Sequence, residues 1–204
     1  MTAAGTRYDA IIVGSGFGGA MAAHVLVRAG WRVLLLERGG LPVRDEGDWD
    51  PHEVLVRQRY RSPSPVLVQQ NGARRPIRVF PNEVVGGNSV FYGGASLRLR
   101  QADFARWPIS YEELEPYYTR AENLLGVHGE EGQDPCEPPR SAGYPARPVP
   151  LNPPAQRIHR AAVQLGLHPF PIPLALNFSD PTRPTCIQCS TCDGFPCRIE
   201  AKND

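Results

Sequence analysis

Residues 8–40, YDAIIVGSGFGGAMAAHVLVRAGWRVLLLERGG, decide the fold of this chain. The apolar run Ala10–Val13 is typical of a strand buried on both faces. It stops at a glycine-rich turn that satisfies G-x-G-x-x-G, and an Ala-rich segment with helical spacing then ends at Gly30. A second apolar run, Val33–Leu36, leads into Glu37. The order of strand, turn, helix, strand and acid predicts a βαβ unit with a phosphate-binding turn.

Each glycine of this fingerprint has its own predicted role. Gly14 permits the tight turn, Gly16 lets the backbone approach a pyrophosphate, and Gly19 lets the helix pack closely on its strand. The free N–H groups and the positive dipole end of the helix then face the phosphates. Glu37, about 20 residues beyond the turn, is expected to accept a hydrogen bond from a ribose hydroxyl. The pattern therefore predicts a dinucleotide site, and the alternative is a glycine-rich loop in another kind of α/β protein.

The composition limits the class of protein. A chain of 204 residues with 41% hydrophobic and 21% charged residues is long enough for one domain with a real core. The net charge is +1 with both signs interspersed, which argues against nucleic acid as a partner. The start, MTAAGTRYDA, has no apolar leader segment, and no 18-residue apolar stretch follows, so no transmembrane segment and a cytoplasmic location are expected.

A hairpin and a second glycine cluster follow the βαβ unit. The extended runs 66–70 and 76–80 flank Asn71-Gly72, which is a strong hairpin signal. Residues 84–95, VVGGNSVFYGGA, carry two glycine pairs around small and aromatic residues. This pattern favours backbone packed against a flat ligand, where any Cβ would clash, and the alternative is a flexible loop.

Three further helices are predicted from capping signals and apolar spacing. A Ser-x-x-Glu capping box starts the second of them, and a proline is expected to divide it into a turn and a helix. More than half of the prolines fall between residues 135 and 184, so that region should be irregular. The predicted segments are 51–60 with Asp50 as N-cap, 111–125 divided at Pro116 and closed by Gly126, and 155–165 stopped at Gly166.

Three blocks together resemble the glucose–methanol–choline (GMC) oxidoreductases, in the family order. They are IIVGSGFGGAMAAHVLVRAGWRVLLLERG, VVGGNSVFYGGASLRLRQADF and WPISYEELEPYYTRAENLLGV. The resemblance implies an α/β fold, an incomplete doubly wound, Rossmann-like FAD-binding domain with irregular Pro-rich insertions. It also implies an FAD-dependent enzyme that oxidises the CH–OH group of a small-molecule alcohol or sugar to a carbonyl, with an unassigned electron acceptor. Residues 1–127 are expected to form the N-terminal part of the FAD-binding domain, and residues 128–204 a Pro-rich excursion, a helix and a Cys-rich segment.

The same resemblance assigns residues to the cofactor. Glu37 matches the family's ribose-binding acid. The first glycine turn is expected at the pyrophosphate, and the second block is expected to run along the pyrophosphate and the isoalloxazine ring. Some members attach the flavin through a histidine in the second block, where this chain has Val90-Phe91-Tyr92, so non-covalent FAD is expected. The matched residues are Gly14, Gly16, Phe17, Gly18, Gly19, Glu37, Gly87, Asn88, Ser89, Tyr92, Gly93 and Ala95.

No catalytic residue is expected within the chain. The family's catalytic histidine lies in the C-terminal third of its members, and none of the five histidines here has a matching context; His128, for example, is expected at the surface. The chain is therefore expected to be an N-terminal fragment that is inactive alone. The alternatives are a catalytically inactive dinucleotide-binding fragment, one chain of a split enzyme, or a nicotinamide-dependent reductase, which would not explain the second glycine block.

Four cysteines crowd into the last twenty residues. Cys186, Cys189, Cys192 and Cys197 read C-x₂-C-x₂-C-x₄-C, and the first three cysteines have the spacing of a ferredoxin-type run that holds an iron–sulfur cluster. The spacing before the fourth cysteine is one residue longer than in that run. Zinc bound by four thiolates, and structural cysteines or a disulfide over the FAD site, are the alternatives. The resemblance also implies that some dehydrogenases of the family carry such a cluster before a similar Ala-Lys segment.

Overall fold

A computed structural model describes residues 7–69, 72 and 76–202. The described chain divides into two compact units. The first contains the residues up to Tyr92 together with Ser190–Arg198, and the second contains Gly93–Cys189 with the residues that follow Arg198.

The first unit begins with the predicted βαβ arrangement. Strand β1 (Ala10–Val13) and strand β2 (Val33–Leu36) are parallel and in register, with Ala10 opposite Val33. Helix α1 (Phe17–Arg28) connects them. Gly30 follows the helix with φ +85°, a left-handed conformation that ends a helix at low cost in glycine. The predicted βαβ fold of residues 8–40 is confirmed.

The two parallel strands are apolar but only partly covered. Side chains on alternate positions of β1 point to opposite faces, and Ile11 and Val13 are 62% and 84% exposed. Leu36 of β2 is 47% exposed. Parallel sheets are normally covered on both faces, so within the described residues this is an incomplete sheet, as expected.

The predicted hairpin is also present in the first unit. Strands β3 (Val66–Val68) and β4 (Ile77–Val79) pair antiparallel, with Leu67 opposite Arg78. Gly72 has φ +84°. The other half of the predicted turn, Asn71, lies outside the described residues.

The segment between β2 and β3 departs from prediction. Instead of one helix over residues 51–60, the chain forms a 3₁₀ turn, Glu46–Trp49, and then a π-type turn, His52–Val56. The Asp50 carboxylate accepts a hydrogen bond from the His52 N–H at 2.8 Å. The longer helix does not form because Tyr60 leaves the segment to pack in the core. Its hydroxyl donates to the fully buried Asp48 at 2.6 Å, and its ring meets Phe91 edge-on at 5.6 Å.

Helix α2 (Tyr111–Leu124) dominates the second unit and is continuous through Pro116, so the expected division there is wrong. The capping box is confirmed: the Ser110 hydroxyl accepts from the Glu113 N–H at 3.2 Å, and the Glu113 carboxylate accepts from the Ser110 N–H at 2.8 Å. Gly126, with φ +57°, follows the helix as expected.

A buried arginine holds α2 in place. The Arg98 side chain is 1% exposed and forms a bidentate pair with Glu122 at 2.8 and 2.7 Å. It also donates to Glu115 and Thr119, both at 2.9 Å. Since these partners lie before and after Pro116 on one helix face, Arg98 ties together the turns on either side of the proline, and this accounts for the unbroken helix.

The rest of the second unit is largely irregular, as the prolines predicted. A short 3₁₀ segment, Gln101–Arg106, precedes α2. Helix α3 (Pro153–Gln164) begins two residues earlier than predicted, because Asn152 caps it by accepting from the Ala155 N–H at 2.9 Å. In the part of the chain that the structure describes, no helix is long and apolar enough to cross a membrane.

Candidate nucleotide-binding site

The first glycine turn requires glycine at two positions. Gly14 has φ +96°, and its N–H donates to the carbonyl of Leu36 at 2.7 Å, which joins the turn to the end of β2. A Cβ on Gly19 would lie 1.9 Å from the Gly14 carbonyl oxygen and 3.3 Å from the Ile12 side chain. The first turn of α1 therefore packs directly on the end of β1, as the fingerprint predicted.

The start of α1 has the electrostatics of an anion site. Gly16 occupies the N-cap position, and no side chain caps the helix in the described structure. The first turn carries no acidic residue. A helix start has backbone N–H groups without helical partners and a positive dipole end, so this turn can receive a phosphate.

Glu37 lies at the end of β2, beside the turn. One carboxylate oxygen accepts from the Ser15 N–H at 3.0 Å and the Ser15 hydroxyl at 2.6 Å, and the other from the N–H groups of Arg38 at 2.7 Å and Gly39 at 2.9 Å. These bonds, that of the Ser15 side chain first, lower the pKa of Glu37 to about 2. The Glu37 carboxylate is therefore ionised and is held beside the first glycine turn.

Gly39 belongs to this site although the sequence interpretation did not single it out. A Cβ there would lie 2.3 Å from the Val84 nitrogen and 2.4 Å from its Cα. The next residue, Gly40, forms a parallel bridge with Val84 and accepts from the Val85 N–H at 2.9 Å. The signal in the sequence was the glycine pair directly after Glu37, which marks a close backbone approach.

Most of the second glycine cluster lies in the same unit as the first turn. Gly86 and Gly87 have φ +91° and +55°, and Ser89 donates to the Gly86 carbonyl at 2.7 Å. Tyr92 meets Phe17 of α1 edge-on, with ring centroids 5.1 Å apart. The structure thus brings one residue of each predicted glycine block into direct aromatic contact.

Glycine at position 86 is required by the loop itself. A Cβ there would lie 2.6 Å from a methyl group of Val90. Val90 and Phe91 are buried with Tyr60 and Val84 in the core of this unit. The second turn is therefore a packed element, and the alternative of a flexible loop is not favoured.

Three other predicted site residues lie at the surface or in the second unit. Asn88 is exposed on the second turn. Gly93 and Ala95 belong to the second unit, where Ala95 bridges Leu174. Between them, Gly94 has φ +83° and would place a Cβ 2.8 Å from the side chain of Leu176, so its glycine serves packing within that unit.

The four clustered cysteines are divided between the units. Cys186 and Cys189 belong to the second unit, and Cys192 and Cys197 to the first. The Gln188 N–H donates to the Cys186 sulfur at 3.4 Å. No group of three or more His, Cys, Asp or Glu side chains among the described residues is arranged to hold a metal ion.

The segment Ser190–Arg198 packs within the first unit. The Gly194 N–H donates to the Phe91 carbonyl at 2.7 Å, beside the second turn. The Arg44 guanidinium donates to the carbonyl of Cys197, and Arg198 lies over the ring of Trp49 at 4.7 Å.

His128 makes specific contacts in the second unit. His128 was expected at the surface, but it is half-buried and meets Phe178 edge-on at 5.0 Å. Its Nδ1 lies 2.9 Å from the carbonyl oxygen of Arg147. These contacts give His128 a role in packing the second unit.

Comparison with known proteins identifies the same type of nucleotide-binding domain. An NAD(P)-binding Rossmann-like domain is recognised over residues 12–43. The chain is 34% identical to paromamine 6'-oxidase of Streptomyces fradiae, over 97% of this chain and 36% of that protein. It is 36% identical to 6'''-hydroxyparomomycin C oxidase of Streptomyces lividus, over 97% of this chain and 37% of that protein.

A solved structure has the same fold. The FAD-dependent oxidoreductase from Chaetomium thermophilum superposes with a TM-score of 0.50 at 23% identity, over 84% of this chain and 34% of that one. The chain thus spans little more than a third of the length of the relatives it matches.

Proposed function

The chain belongs to the GMC-type oxidoreductases, and from that premise we propose that it supplies part of the FAD site of an enzyme that oxidises an alcohol to a carbonyl. The observation that carries the proposal is the uncapped start of α1, packed on the Gly14 carbonyl through Gly19, with the ionised Glu37 at the end of the neighbouring strand. This is the arrangement that binds the pyrophosphate and ribose of a dinucleotide.

The residues fit FAD in two places. The first turn offers backbone N–H groups and no acidic side chain to a pyrophosphate, and Glu37 offers a carboxylate to the adenosine ribose. The second turn places Tyr92 against Phe17, beside the same helix start. The residues proposed to hold the cofactor are Gly14, Gly16, Phe17, Gly18, Gly19, Glu37, Gly87, Asn88, Ser89, Tyr92, Gly93 and Ala95.

The boundary at residue 127 stays a proposal. It would assign residues 1–127 to the FAD-binding part, including all of helix α2, and leave the Pro-rich and Cys-rich remainder outside it. The compact units divide between Tyr92 and Gly93 instead, because they reflect packing and not ligand contacts.

The chemistry divides between cofactor and protein. When bound, FAD supplies the acceptor for the hydride that leaves the carbinol carbon. The chain's own residues bind and orient; a base must also take the hydroxyl proton, and we assign that role to none of the residues here. The substrate class we propose is a small alcohol or sugar, consistent with relatives named as oxidases of paromamine and of a hydroxyparomomycin.

The full-length protein containing this chain tests the proposal. We expect it to be purified with flavin, to release FAD intact on acid precipitation because Val90-Phe91-Tyr92 offers no histidine for attachment, and to reduce a dye acceptor with alcohols or sugars. A protein that binds NAD(P) and no flavin would contradict the proposal. Bound FAD without turnover on any alcohol would favour the alternative, a catalytically inactive FAD-binding fragment or one chain of a split enzyme.

We propose an iron–sulfur cluster as a second cofactor, bound by Cys186, Cys189, Cys192 and Cys197, and this proposal rests on their spacing. Among the described residues, no group of three or more His, Cys, Asp or Glu side chains is arranged to hold a metal ion. We therefore assign the proposed cluster no step in electron transfer. Iron analysis and absorption spectra of anaerobically prepared protein test it, and a preparation free of iron would reject it. The cytoplasmic location is likewise a proposal, tested by cell fractionation.

A further inference from the structure

The Ser15 hydroxyl joins three segments that are far apart in the sequence. It donates to Glu37 Oε2 at 2.6 Å and accepts from the Gly86 N–H at 2.8 Å. A serine hydroxyl has one hydrogen to donate and can accept at the same time, so both bonds are compatible. One side chain thus connects the first glycine turn, the end of β2 and the second glycine turn, all in the first unit.

The backbones of the two turns approach each other at the same point. A Cβ on Gly16 would lie 3.4 Å from the Gly86 carbonyl oxygen. Gly86 itself has φ +91°, a conformation that few residues other than glycine adopt. Because the Ser15 hydroxyl accepts a hydrogen bond from the N–H of this glycine, it fixes the position of the second turn.

Ser15 is also distinctive among the donors to Glu37. Three of the four hydrogen bonds to the carboxylate come from backbone N–H groups, those of Ser15, Arg38 and Gly39. The hydroxyl of Ser15 is the single side-chain donor among these four. It is therefore the donor that a substitution can remove without altering the main chain.

We propose that Ser15 is a positioning residue, which orients Glu37 toward the adenosine ribose and holds the second glycine turn against the first. The inference rests on the proposed function in one respect only, namely that the ligand of Glu37 is the ribose of FAD. The connection between the two turns is a property of the protein without cofactor, and it can be measured separately.

The test uses the full-length protein, both stripped of flavin and reloaded, with the variants S15A, S15T and S15V. Threonine keeps the hydroxyl, whereas valine has nearly the same shape without it. Ser110→Ala is the matched control, because its hydroxyl also accepts a backbone N–H opposite a glutamate but lies in the second unit. Two quantities are measured: the hydrogen exchange rate of a peptide covering residue 86 without cofactor, and the dissociation constant of FAD.

We expect S15A and S15V to raise the exchange rate at residue 86 and the FAD dissociation constant, each by about tenfold, the loss expected for one hydrogen bond to a charged or buried group. S15T should remain within about twofold of the wild type, since the hydroxyl is retained. S110A should lower thermal stability and leave both quantities unchanged. A global loss of stability cannot give this pattern.

Equal exchange rates in the wild type, S15A and S15V would overturn the inference, as would an S15T variant as impaired as S15V. If S15A does not fold, the S15T and S15V pair decides the same question. If the wild type binds no FAD, the proposed function fails, yet the exchange rates of the cofactor-free variants still decide whether Ser15 connects the two turns.

Discussion

At the scale of single residues, space around the glycines distinguishes positions that look alike in the sequence. Gly18 and Gly19 are neighbours in the first turn of α1. A Cβ on Gly18 would meet nothing within 4 Å, whereas one on Gly19 would lie 1.9 Å from a backbone oxygen. The backbone cannot move aside cheaply there, because the oxygen belongs to Gly14, whose N–H is bonded to Leu36.

We expect Gly19→Ala to lower the free energy of unfolding by about 1–3 kcal/mol, the usual cost of forcing extra volume into a packed site. Gly18→Ala is the matched control and should raise it by about 0.5–1 kcal/mol, because alanine is the better helix former. Denaturant unfolding of both variants measures the difference. A tolerated Gly19→Ala would mean that α1 does not pack on the turn as described.

The charge on Glu37 predicts a pH dependence. Its pKa is lowered from 4.5 to about 2 in the folded protein, first by the Ser15 hydroxyl. A lowered folded-state pKa contributes stability that is fully present above the unfolded-state pKa and is lost as pH falls toward the folded-state value. The stabilisation by Glu37 is therefore lost between about pH 4.5 and pH 2.

Comparing the wild type with Glu37→Gln from pH 7 to pH 3 tests this sign. The stability advantage of the wild type should be constant above about pH 5 and shrink below it. Chemical denaturation at each pH gives the difference. An advantage that grows as pH falls would contradict the hydrogen bonds assigned to this carboxylate.

At the scale of elements, α2 contacts its unit through buried charge as well as through apolar packing. Arg98 lies between Glu115 and Glu122, and Glu122 also binds Arg140 at 2.5 Å. Removing one partner of a buried ion pair leaves the others uncompensated. The network therefore contributes strongly to holding α2 in its unit.

Arg98→Ala is accordingly expected to cost about 3–5 kcal/mol of unfolding free energy. Arg100→Ala removes an exposed pair with Asp103 at 3.1 Å and should cost no more than about 1 kcal/mol. Thermal and denaturant unfolding of the two variants would show the contrast. Equal costs would mean that burial does not determine the strength of the Arg98 network.

Pro116 offers the opposite experiment on the same helix. Proline lacks the N–H that would bond to the Glu112 carbonyl, so Pro116→Ala should restore that bond and raise the melting temperature. Pro153, at the first position of α3, is the control, since proline is well accommodated there. Pro153→Ala should leave the melting temperature unchanged or slightly lower. If Pro116→Ala is destabilising, the proline contributes packing that offsets its missing donor.

At the scale of the whole molecule, exposed apolar strand residues determine how the chain behaves in solution. Ile11 and Val13 are exposed on one face of β1 among the residues that the structure describes, while Ile12 is half-buried beside Gly19 of α1. A partly covered parallel pair leaves apolar surface and backbone edge open to other chains. We expect the 204-residue chain expressed alone to self-associate.

The double substitution Ile11→Thr and Val13→Thr should reduce light scattering by the isolated chain with little change in its unfolding transition. Ile12→Thr, which introduces a polar group under α1, should instead lower the transition temperature. Scattering that is unaffected by the double variant would place the associating surface elsewhere in the chain.

The sequence alone determined the elements whose signals are local. The fold of residues 8–40, the hairpin pairing, the capping box and the three helix-ending glycines follow from periodicity, turn chemistry and caps within a few residues of each other. The same local signals failed at Pro116 and over residues 51–60. There, contacts outside the predicted helix, to Arg98 and to Asp48, outweighed the local preference.

Only the tertiary structure showed which distant residues come together in the site. The fingerprint identified Gly14, Gly19 and Glu37, because their roles depend on a short strand–turn–helix geometry. It could not show that Ser15 binds Gly86, or that Gly39 lies against Val84, because those contacts join segments separated by dozens of residues. A local pattern reports backbone conformation, whereas the closeness of two distant turns arises only when the chain packs.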